Sequence, residues 1–303
     1  MRFLWMLEGI RTPFLDKCMQ FITYFGQEII LIAVICALYW CVDKRFAYLL
    51  GFTYFTAGLC VQTLKITFRI PRPWILDPEF HAVESAVPGA TGYSFPSGHT
   101  QGAVCLFFPL ALKCRRSWVK LLCVLSFFLI GFSRMYLGCH TPKDVLTAMG
   151  ISLVISWILW HFQDHLLSGS SSPALISGVL AALSLAVCAY ALILHTDGTL
   201  EARYAADCLK ASGAGLGFAA GYYVERSYMN FNTGGLSLPG QLLKLAAGLA
   251  CALLLKSALS SFTGSSILAK ALEYFILVLW VLVFYPFLFS KVQKGVHSKF
   301  SQN

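Results

Sequence analysis

The chain has 303 residues, of which 57% are hydrophobic and 12% are charged, and its mean hydropathy is +0.69. This composition excludes an ordinary soluble domain, and several apolar runs are long enough to cross a hydrocarbon core about 30 Å thick. The formal net charge of +9 does not indicate a nucleic-acid partner, because the basic residues punctuate the ends of apolar runs and are not gathered on one face. The 11 cysteines form no C-x-x-C pair and no zinc-ligand spacing, so they predict no metal site.

The predicted fold is all-α, a polytopic membrane bundle of about nine transmembrane helices. Residues 1–27 mix large apolar side chains with several charges, which is too polar for a span and predicts helices lying at the membrane interface. The predicted spans cover residues 28–43, 46–66, 98–113, 117–136, 142–163, 173–195, 204–222, 240–261 and 267–290.

Basic residues follow alternate spans. They occur in the turn 42–45, in the turn 113–120 and in the tail 291–303, which nine spans place on one side of the membrane. The positive-inside rule assigns this side to the cytoplasm, although basic residues among the first 27 positions then fall on the other side. The loops after the second and fourth spans consequently open on the extracytoplasmic face, and they carry the polar motifs of the chain.

One motif, Pro96-Ser97-Gly98-His99, precedes the third span. Ser97 is a favourable N-cap, and Gly98 lets the backbone approach a ligand closely. The free N–H groups and the positive dipole end of a first helical turn form an anion site, which His99 would face. Helix capping without any ligand is the structural alternative.

A second motif, Arg134-x5-His140-x3-Asp144, ends in another predicted helix start. Thr141 is the predicted N-cap and Pro142 the first helical residue, which puts Asp144 at N3, where a carboxylate is favoured. Asp144 can then accept a hydrogen bond from one ring nitrogen of His140, which leaves the other nitrogen unprotonated, as a nucleophile requires. Taken alone, such a pair is more often structural than catalytic.

Lys65, Arg72 and Arg134 supply fixed positive charge beside these motifs, the first two in the pattern Lys65-x6-Arg72-Pro73. A transferring phosphoryl group spreads negative charge over its equatorial oxygens, which fixed cations and N–H donors stabilise. Taken singly, each cation can also be an interfacial side chain whose charge reaches water. Together with the two helix starts, the cations predict a phosphate-handling site.

In order, spacing and sidedness the three motifs resemble those of the type 2 phosphatidic acid phosphatase superfamily, over about residues 28 to 163. The resemblance implies metal-independent hydrolysis through a phosphohistidine, with no cofactor. In that mapping His140 attacks phosphorus, Asp144 orients it and His99 protonates the leaving oxygen. The phosphate is then held by Lys65, Arg72, Ser97, Gly98 and Arg134. The nine-span layout also resembles the glucose-6-phosphatase and sphingosine-1-phosphate phosphatase branches.

The expected activity is hydrolysis of a lipid phosphate monoester or diphosphate, such as phosphatidic acid, a sphingoid phosphate or a polyprenyl diphosphate. We expect it on the extracytoplasmic face of a bacterial plasma membrane. A sugar-phosphate phosphatase, a lipid phosphotransferase and a binding or transport protein on the same fold are the alternatives. The sequence predicts no oligomeric state.

The expected domain organisation follows from the motifs. Residues 28–165 would form the catalytic bundle, 173–290 an additional set of transmembrane helices and 291–303 a basic cytoplasmic tail, with a short linker from Ser168 to Pro173. The additional helices hold no comparable chemistry. Gly213, Gly217 and Gly221 share one helix face there and predict a close-packing seam.

Overall fold

The computed structural model describes residues 1–168, 171–234, 236–264 and 266–291. About 80% of the chain is helical, and no β-strand occurs in these ranges, so the predicted all-α class is confirmed. The predicted tail lies outside the described residues apart from Lys291, and so do positions 169–170 of the predicted linker.

Helices follow one another along the chain, most of them with short connections, and residues 77–97 form a longer connection between α5 and α6. They are α1 (Arg2–Glu8), α2 (Pro13–Tyr24), α3 (Glu28–Ala37), α4 (Lys44–Phe68), α5 (Pro73–Leu76), α6 (Gly98–Lys113), α7 (Ser117–Tyr136), α8 (Pro142–His161), α9 (Gln163–Leu167), α10 (Pro173–Thr196), α11 (Ala202–Val224), α12 (Leu238–Thr263) and α13 (Ile267–Leu279). Three π-helical turns, Leu38–Val42, Glu225–Met229 and Trp280–Phe284, extend α3, α11 and α13, and a 3-10 turn covers Glu84–Ala86.

Side-chain caps and prolines set where several helices begin. An oxygen of the residue before the helix accepts a backbone N–H of the first turn in α2, α4, α6, α8 and α10, with Thr12, Asp43, Ser97, Thr141 and Ser172 as the caps. A proline opens α2, α8 and α10, where its missing N–H costs nothing. The predicted caps Ser97 and Thr141 are therefore confirmed.

Six candidate spans among the described residues are long and apolar enough to cross a membrane. The first combines α4 and α5, four are the helices α7, α8, α10 and α12, and the last is α13 with its extension. A seventh crossing results if α2 and α3, which are bent by 41° at their junction, form one broken span. The predicted spans 98–113 and 204–222 correspond to α6, of 16 residues, and to α11, of 23 residues; α11 carries Asp207 and Lys210 in its first half. Nine spans are thus not confirmed by length and composition.

The N-terminal helices pack on the bundle. Both α1 and α2 contact α7, and Leu4 and Leu7 of α1 are buried. Near the junction of α2 and α3, a Cβ on Gly26 would lie 2.6 Å from Ile130 Cγ2 and 3.2 Å from the His99 carbonyl oxygen, so only glycine allows this approach. The interfacial location predicted for residues 1–27 stays a prediction, and Thr23 of this segment is buried in the protein.

Basic turns gather at one end of the bundle, which we call the basic end. Lys113, after α6, pairs with Asp43, before α4. The Lys44 Nζ is 2.7 Å from a carboxylate oxygen of Glu225, after α11. The grouping predicted for the turns 42–45 and 113–120 is therefore confirmed, whereas the side of the membrane that this end faces stays a prediction.

The predicted glycine seam is confirmed as the contact between α11 and α13. A Cβ on Gly213 would lie 2.0 Å from the Ala271 carbonyl oxygen, and one on Gly217 would lie 2.6 Å from the Phe275 carbonyl oxygen. Neither site can hold a larger residue without separating the helices. Since α11 also packs against α10 and α4, it joins the second half of the chain to the first.

Candidate active site

Four helix ends meet opposite the basic end, and they bring the three motifs together. The Ser97 N–H, before α6, donates to the Asp144 carbonyl oxygen in α8 at 3.1 Å. The His140 N–H, before α8, donates to the Arg134 carbonyl oxygen in α7 at 3.3 Å. Arg72, which follows α4, reaches His140 with its side chain. Residues up to 79 positions apart, from Lys65 to Asp144, thus belong to one cluster of buried side chains, which we call the pocket.

The Arg72 side chain contacts several other groups of this pocket, and only 5% of the residue is exposed. Its Nη1 donates to the Cys139 carbonyl oxygen at 3.0 Å and lies 2.9 Å from His140 Nε2. Its Nε and Nη2 donate to the carbonyl oxygens of Gly92 at 3.0 Å and Thr91 at 2.6 Å. The guanidinium is therefore held on three sides by backbone and faces the imidazole on the fourth.

This contact fixes the tautomer of His140. A guanidinium can only donate, so Nε2 must present its lone pair and the ring proton belongs on Nδ1. The Nδ1 atom faces the Asp144 Oδ2 at 3.6 Å, which is longer than a hydrogen bond. Catalytic hydrogen bonds are often long without substrate and shorten when it binds. Nε2 is therefore the nitrogen available for bond formation.

Asp144 is held by two donors besides its proximity to the imidazole. Its Oδ2 accepts the Thr141 N–H at 2.8 Å, closing a capping box at the start of α8, and the Ser94 hydroxyl at 2.6 Å. Only 1% of Asp144 is exposed. With its oxygen fixed from two sides, the carboxylate can orient His140 without moving.

Arg134 is buried in the last turn of α7, and only part of its guanidinium is hydrogen-bonded among the described residues. Its Nη1 donates to Thr23 Oγ1 in α2 at 3.1 Å. Its Nε and Nη2 are buried and have no hydrogen-bond partner among the described residues. Leaving buried donors of a charged group unpaired costs more than about 1–3 kcal/mol each. The arrangement is explained if these two N–H groups bind an oxyanion.

The remaining predicted residues line the same pocket. The buried Lys65 Nζ donates to the Tyr93 carbonyl oxygen at 2.6 Å. Gly98 is exposed, and no described atom outside its own helix turn lies within 4 Å of where its Cβ would be. The start of α6 is therefore open at Gly98, and a helix N-terminus suits an anion. His99 is half-buried beside it.

The charge around His140 keeps its imidazole neutral. Burial lowers the pKa of His140 well below its ordinary value, and the positive charges of Arg72, Arg134 and Lys65 lower this pKa further. Three cations thus share the pocket with a neutral imidazole. Such a pocket favours a phosphate dianion and a nucleophilic nitrogen at once.

Two side chains in this site were not predicted. Thr23 binds Arg134 but lies in the segment predicted as interfacial, and no sequence signal links it to α7. Ser94 binds Asp144 and stands three residues before Ser97. A hydroxyl so close to a catalytic turn is a weak signal, because Ser is common at helix starts.

Two regions of the chain match known protein families. Residues 46–167 match the PAP2 superfamily, and residues 209–297 match the transmembrane extension of PAP2 superfamily phosphatases. The chain is 31% identical over 157 residues to the undecaprenyl-diphosphatase BcrC of Bacillus subtilis, covering 50% of this chain and 77% of that protein.

Two further similarities come from the same bacterium. The phosphatidylglycerophosphatase B of Bacillus subtilis is 26% identical over 168 residues, covering 52% of this chain and 79% of that protein. A crystal structure of a transmembrane PAP2-type phosphatidylglycerolphosphate phosphatase from Bacillus subtilis covers 54% of this chain and 84% of its own, at 24% identity and a TM-score of 0.43. From the two matched regions and the first relative, the chain belongs to the PAP2 superfamily and is an integral-membrane hydrolase of phosphoric esters.

Proposed function

We propose that this protein removes a phosphate group from a membrane lipid, a monoester or a diphosphate, through a phosphohistidine on His140 and without a metal ion. One observation carries this proposal. Two buried N–H donors of Arg134 have no partner in the part of the chain that the structure describes, and Arg72 Nη1 lies 2.9 Å from His140 Nε2 in the same pocket. The pocket thus offers charge for an oxyanion and a nucleophile for its phosphorus.

In the first step His140 takes the phosphoryl group. Phosphate oxygens are stronger acceptors than an imidazole, so a bound dianion draws the Arg72 Nη1 away from Nε2. The Nε2 lone pair then forms the bond to phosphorus while the bond to the leaving oxygen breaks. The Asp144 carboxylate stabilises the positive charge that develops on the ring. Arg72, Arg134, Lys65 and the N–H groups that follow Ser97 hold the equatorial oxygens.

His99 manages the protons in both steps. It gives a proton to the leaving lipid oxygen, and the adjacent phosphate dianion favours the imidazolium form that this requires. Water then attacks phosphorus and gives its proton to His99. The bond to Nε2 breaks, its electron pair returns to the imidazole, and inorganic phosphate leaves.

The membrane arrangement is the second part of the proposal. We propose that α3, α6 and α11 also cross the membrane, which gives nine spans with the active site on the extracytoplasmic face of a bacterial plasma membrane. In support, α6 joins the site at His99 to the basic end at Lys113. Helix α11 likewise runs between the two ends, from Tyr204 beside the site to Glu225 beside Lys44.

A lipid substrate is supported by the relatives and by the surface of the bundle. The relatives named above act on an isoprenoid lipid diphosphate and on a phosphoglycerolipid. Large apolar side chains such as Phe21, Phe25 and Ile29 are exposed on the helices that flank Gly26 and His99. A site bordered by such a surface can bind a head group while the acyl or isoprenoid tail stays in the bilayer.

Trapping the covalent intermediate tests the mechanism. Purified protein is mixed with a 32P-labelled lipid phosphate, quenched, and assayed for acid-labile, base-stable label on the protein. We expect label on the wild-type chain and none on His140→Ala, whose turnover should fall by several orders of magnitude. Turnover by His140→Ala at the wild-type rate would end the phosphohistidine proposal.

Two further assays separate the alternatives. Activity should persist in EDTA, and loss that magnesium restores would argue for a metal-dependent reaction. Phosphate release is then compared for polyprenyl diphosphate, phosphatidic acid, a sphingoid phosphate and a sugar phosphate. A preference for lipids of at least about tenfold in kcat/KM, about 1.4 kcal/mol, supports the lipid assignment, and the reverse preference supports a sugar-phosphate phosphatase.

A further inference from the structure

A short stretch of backbone holds the charged side chains of the active site. We call residues 91–94 the strap. The carbonyl oxygens of Thr91 and Gly92 accept from Arg72, and that of Tyr93 accepts from Lys65. The strap therefore determines where two of the three cations lie.

The same stretch also reaches the carboxylate. Ser94 donates its hydroxyl to Asp144 and its N–H to the Ile70 carbonyl oxygen at 2.8 Å. No helix includes the strap, and Gly92 has a φ of +72°, a conformation that residues other than glycine rarely adopt. The position of the strap therefore depends on these hydrogen bonds and on the side chains that pack on it.

The first turns of α11 cover the strap from outside. The ring of Tyr204 stacks on that of Tyr93, with centroids 3.9 Å apart and planes inclined by 23°. The Asp207 Oδ2, one turn further along, lies 3.7 Å from where a Cβ on Gly92 would be. The guanidinium of Arg203 covers the Tyr204 ring at 4.5 Å. The side chains of Arg203, Tyr204 and Tyr93 are thus stacked in this order, from α11 to the backbone that holds Arg72.

We infer that α11 positions the phosphate-binding cations through the strap, with Tyr204 as the positioning residue; this inference rests on the proposed function of the same site. Tyr204 makes no hydrogen bond to Arg72 or Lys65 among those described above, and its ring contact with the strap is the stack on Tyr93. The second half of the chain would then contribute to phosphate binding, a role beyond anchoring the bundle in the membrane.

The physical reason lies in the number of acceptors on the strap. Of the four protein groups that the Arg72 guanidinium contacts, two are strap carbonyls. If the strap loosens, both acceptors move together, and the guanidinium is no longer aimed at the phosphate oxygens. Misplaced binding groups raise KM and weaken the binding of free oxyanions. Asp144 is less affected, because the Thr141 N–H holds the same carboxylate oxygen independently of the strap.

The test compares three variants on one helix. Tyr204→Ala removes the ring, Tyr204→Phe retains the stack, and Tyr223→Ala removes a different ring pair near the other end of α11, where Tyr223 and Tyr228 have centroids 5.9 Å apart. KM for a lipid phosphate and the inhibition constant of orthovanadate are measured for each. A lost aromatic pair predicts that both constants rise about two- to tenfold in Tyr204→Ala. In Tyr204→Phe and Tyr223→Ala both should match wild type.

The inference is overturned if Tyr204→Ala matches Tyr223→Ala in both constants, or if its kcat falls while KM and vanadate inhibition stay unchanged. Should Tyr204→Ala fail to fold, judged by size-exclusion profile, Tyr204→Leu takes its place, because leucine fills the space without stacking. Failure of the proposed function looks different: wild-type protein would then release no phosphate from any lipid. Thermal stabilisation by orthovanadate, stronger in wild type than in Tyr204→Ala, would still test the positioning role.

Discussion

Two buried charge clusters lie at opposite ends of this bundle, and they differ in how completely their hydrogen bonds are satisfied. At the basic end, the carboxylate of Glu225 accepts from the Lys44 ammonium at 2.7 Å, from the Phe231 N–H at 2.8 Å and from the Tyr48 hydroxyl. The Lys44 ammonium donates in addition to the Phe231 carbonyl oxygen at 2.6 Å. Both oxygens of Glu225 are paired, and one anion faces one cation.

At the site end lie three buried cations, Lys65, Arg72 and Arg134, and the buried carboxylate of Asp144; among the described residues, two N–H groups of Arg134 have no partner. Buried polar groups in native proteins are almost always paired, so unpaired ones need an explanation. A balanced, closed network stabilises the contact between helices, whereas a surplus of charge and donors is what an anionic ligand requires. The same residue types thus serve structure at one end and binding at the other.

The largest effect on activity is expected from Arg134→Ala. Its free donors are aimed at charge that develops on the phosphoryl group, so kcat/KM should fall by about 10²–10³-fold. The folded state should also lose some stability, because the substitution truncates a large buried side chain, although it removes two buried donors that are unpaired among the described residues. Phosphate release and unfolding in mixed micelles check both statements, with Arg45→Ala at the basic end as the matched control. An activity loss in proportion to lost stability would contradict the assignment.

The opposite pattern is expected from Glu225→Ala. Removing one partner of a buried pair leaves an uncompensated charge, and the free energy of unfolding should fall by about 3 kcal/mol. The remaining folded protein should have the kcat/KM of wild type, since Glu225 lies at the other end of the bundle from the site. A double-mutant cycle with Lys44→Ala would show whether the loss belongs to the pair. A loss of kcat with an unchanged free energy of unfolding would show that Glu225 serves activity and not structure, contrary to this comparison.

A smaller effect is expected from Thr23→Val, which tests whether the N-terminal segment belongs to the site. Without the hydroxyl, Arg134 loses its one described side-chain acceptor, and a hydrogen bond to a charged group contributes about 1.5 kcal/mol or more. The expected result is a fall of about tenfold in kcat/KM. Thr53→Val is the control, because the buried Thr53 hydroxyl bonds only to the Leu49 carbonyl oxygen of its own helix. An equal fall in kcat/KM for the two variants would show that Thr23 has no specific role in the site.

The smallest effect concerns the protonation of His140. Because the pKa of His140 is lowered well below its ordinary value of about 6.5, its ring should stay mainly neutral at pH 6.5. As pH falls below about 6.5, the unfolded chain binds this proton while the folded chain does not, so the free energy of unfolding decreases. NMR of 15N-histidine-labelled protein, with His140→Ala for assignment, measures the titration. Orthovanadate should raise the pKa of His140, and a midpoint at or above 6.5 without vanadate would contradict the positive pocket.

The local features of the site could be predicted from the sequence. Ser97 and Thr141 cap the helices predicted for them, since capping depends on residues a few positions apart. The glycine seam of α11 was predictable for the same reason. The structure also brings Lys65, Arg72, Arg134, His140 and Asp144 into one pocket, while their individual roles stay predictions.

Contacts between distant segments could not be predicted. Thr23 lies 111 positions from Arg134, and its environment depends on how the bent pair α2 and α3 packs on α7. The stack of Tyr204 on Tyr93 likewise joins segments that the sequence divides into separate units. Helix α11 is missed by a test of length and apolarity because its polar residues and glycines lower its hydropathy, and 12 of its 23 residues are buried in the protein; its crossing of the membrane stays a proposal.

The glycine seam has a consequence for how this protein can be shortened. Because α11 and α13 touch backbone to backbone, neither can be deleted without exposing a face built to fit the other. A fragment ending near residue 168 would retain each of the motif residues yet lose the aromatic cover over the strap. The smallest piece expected to turn over substrate with native affinity is therefore longer than the stretch that carries the motifs.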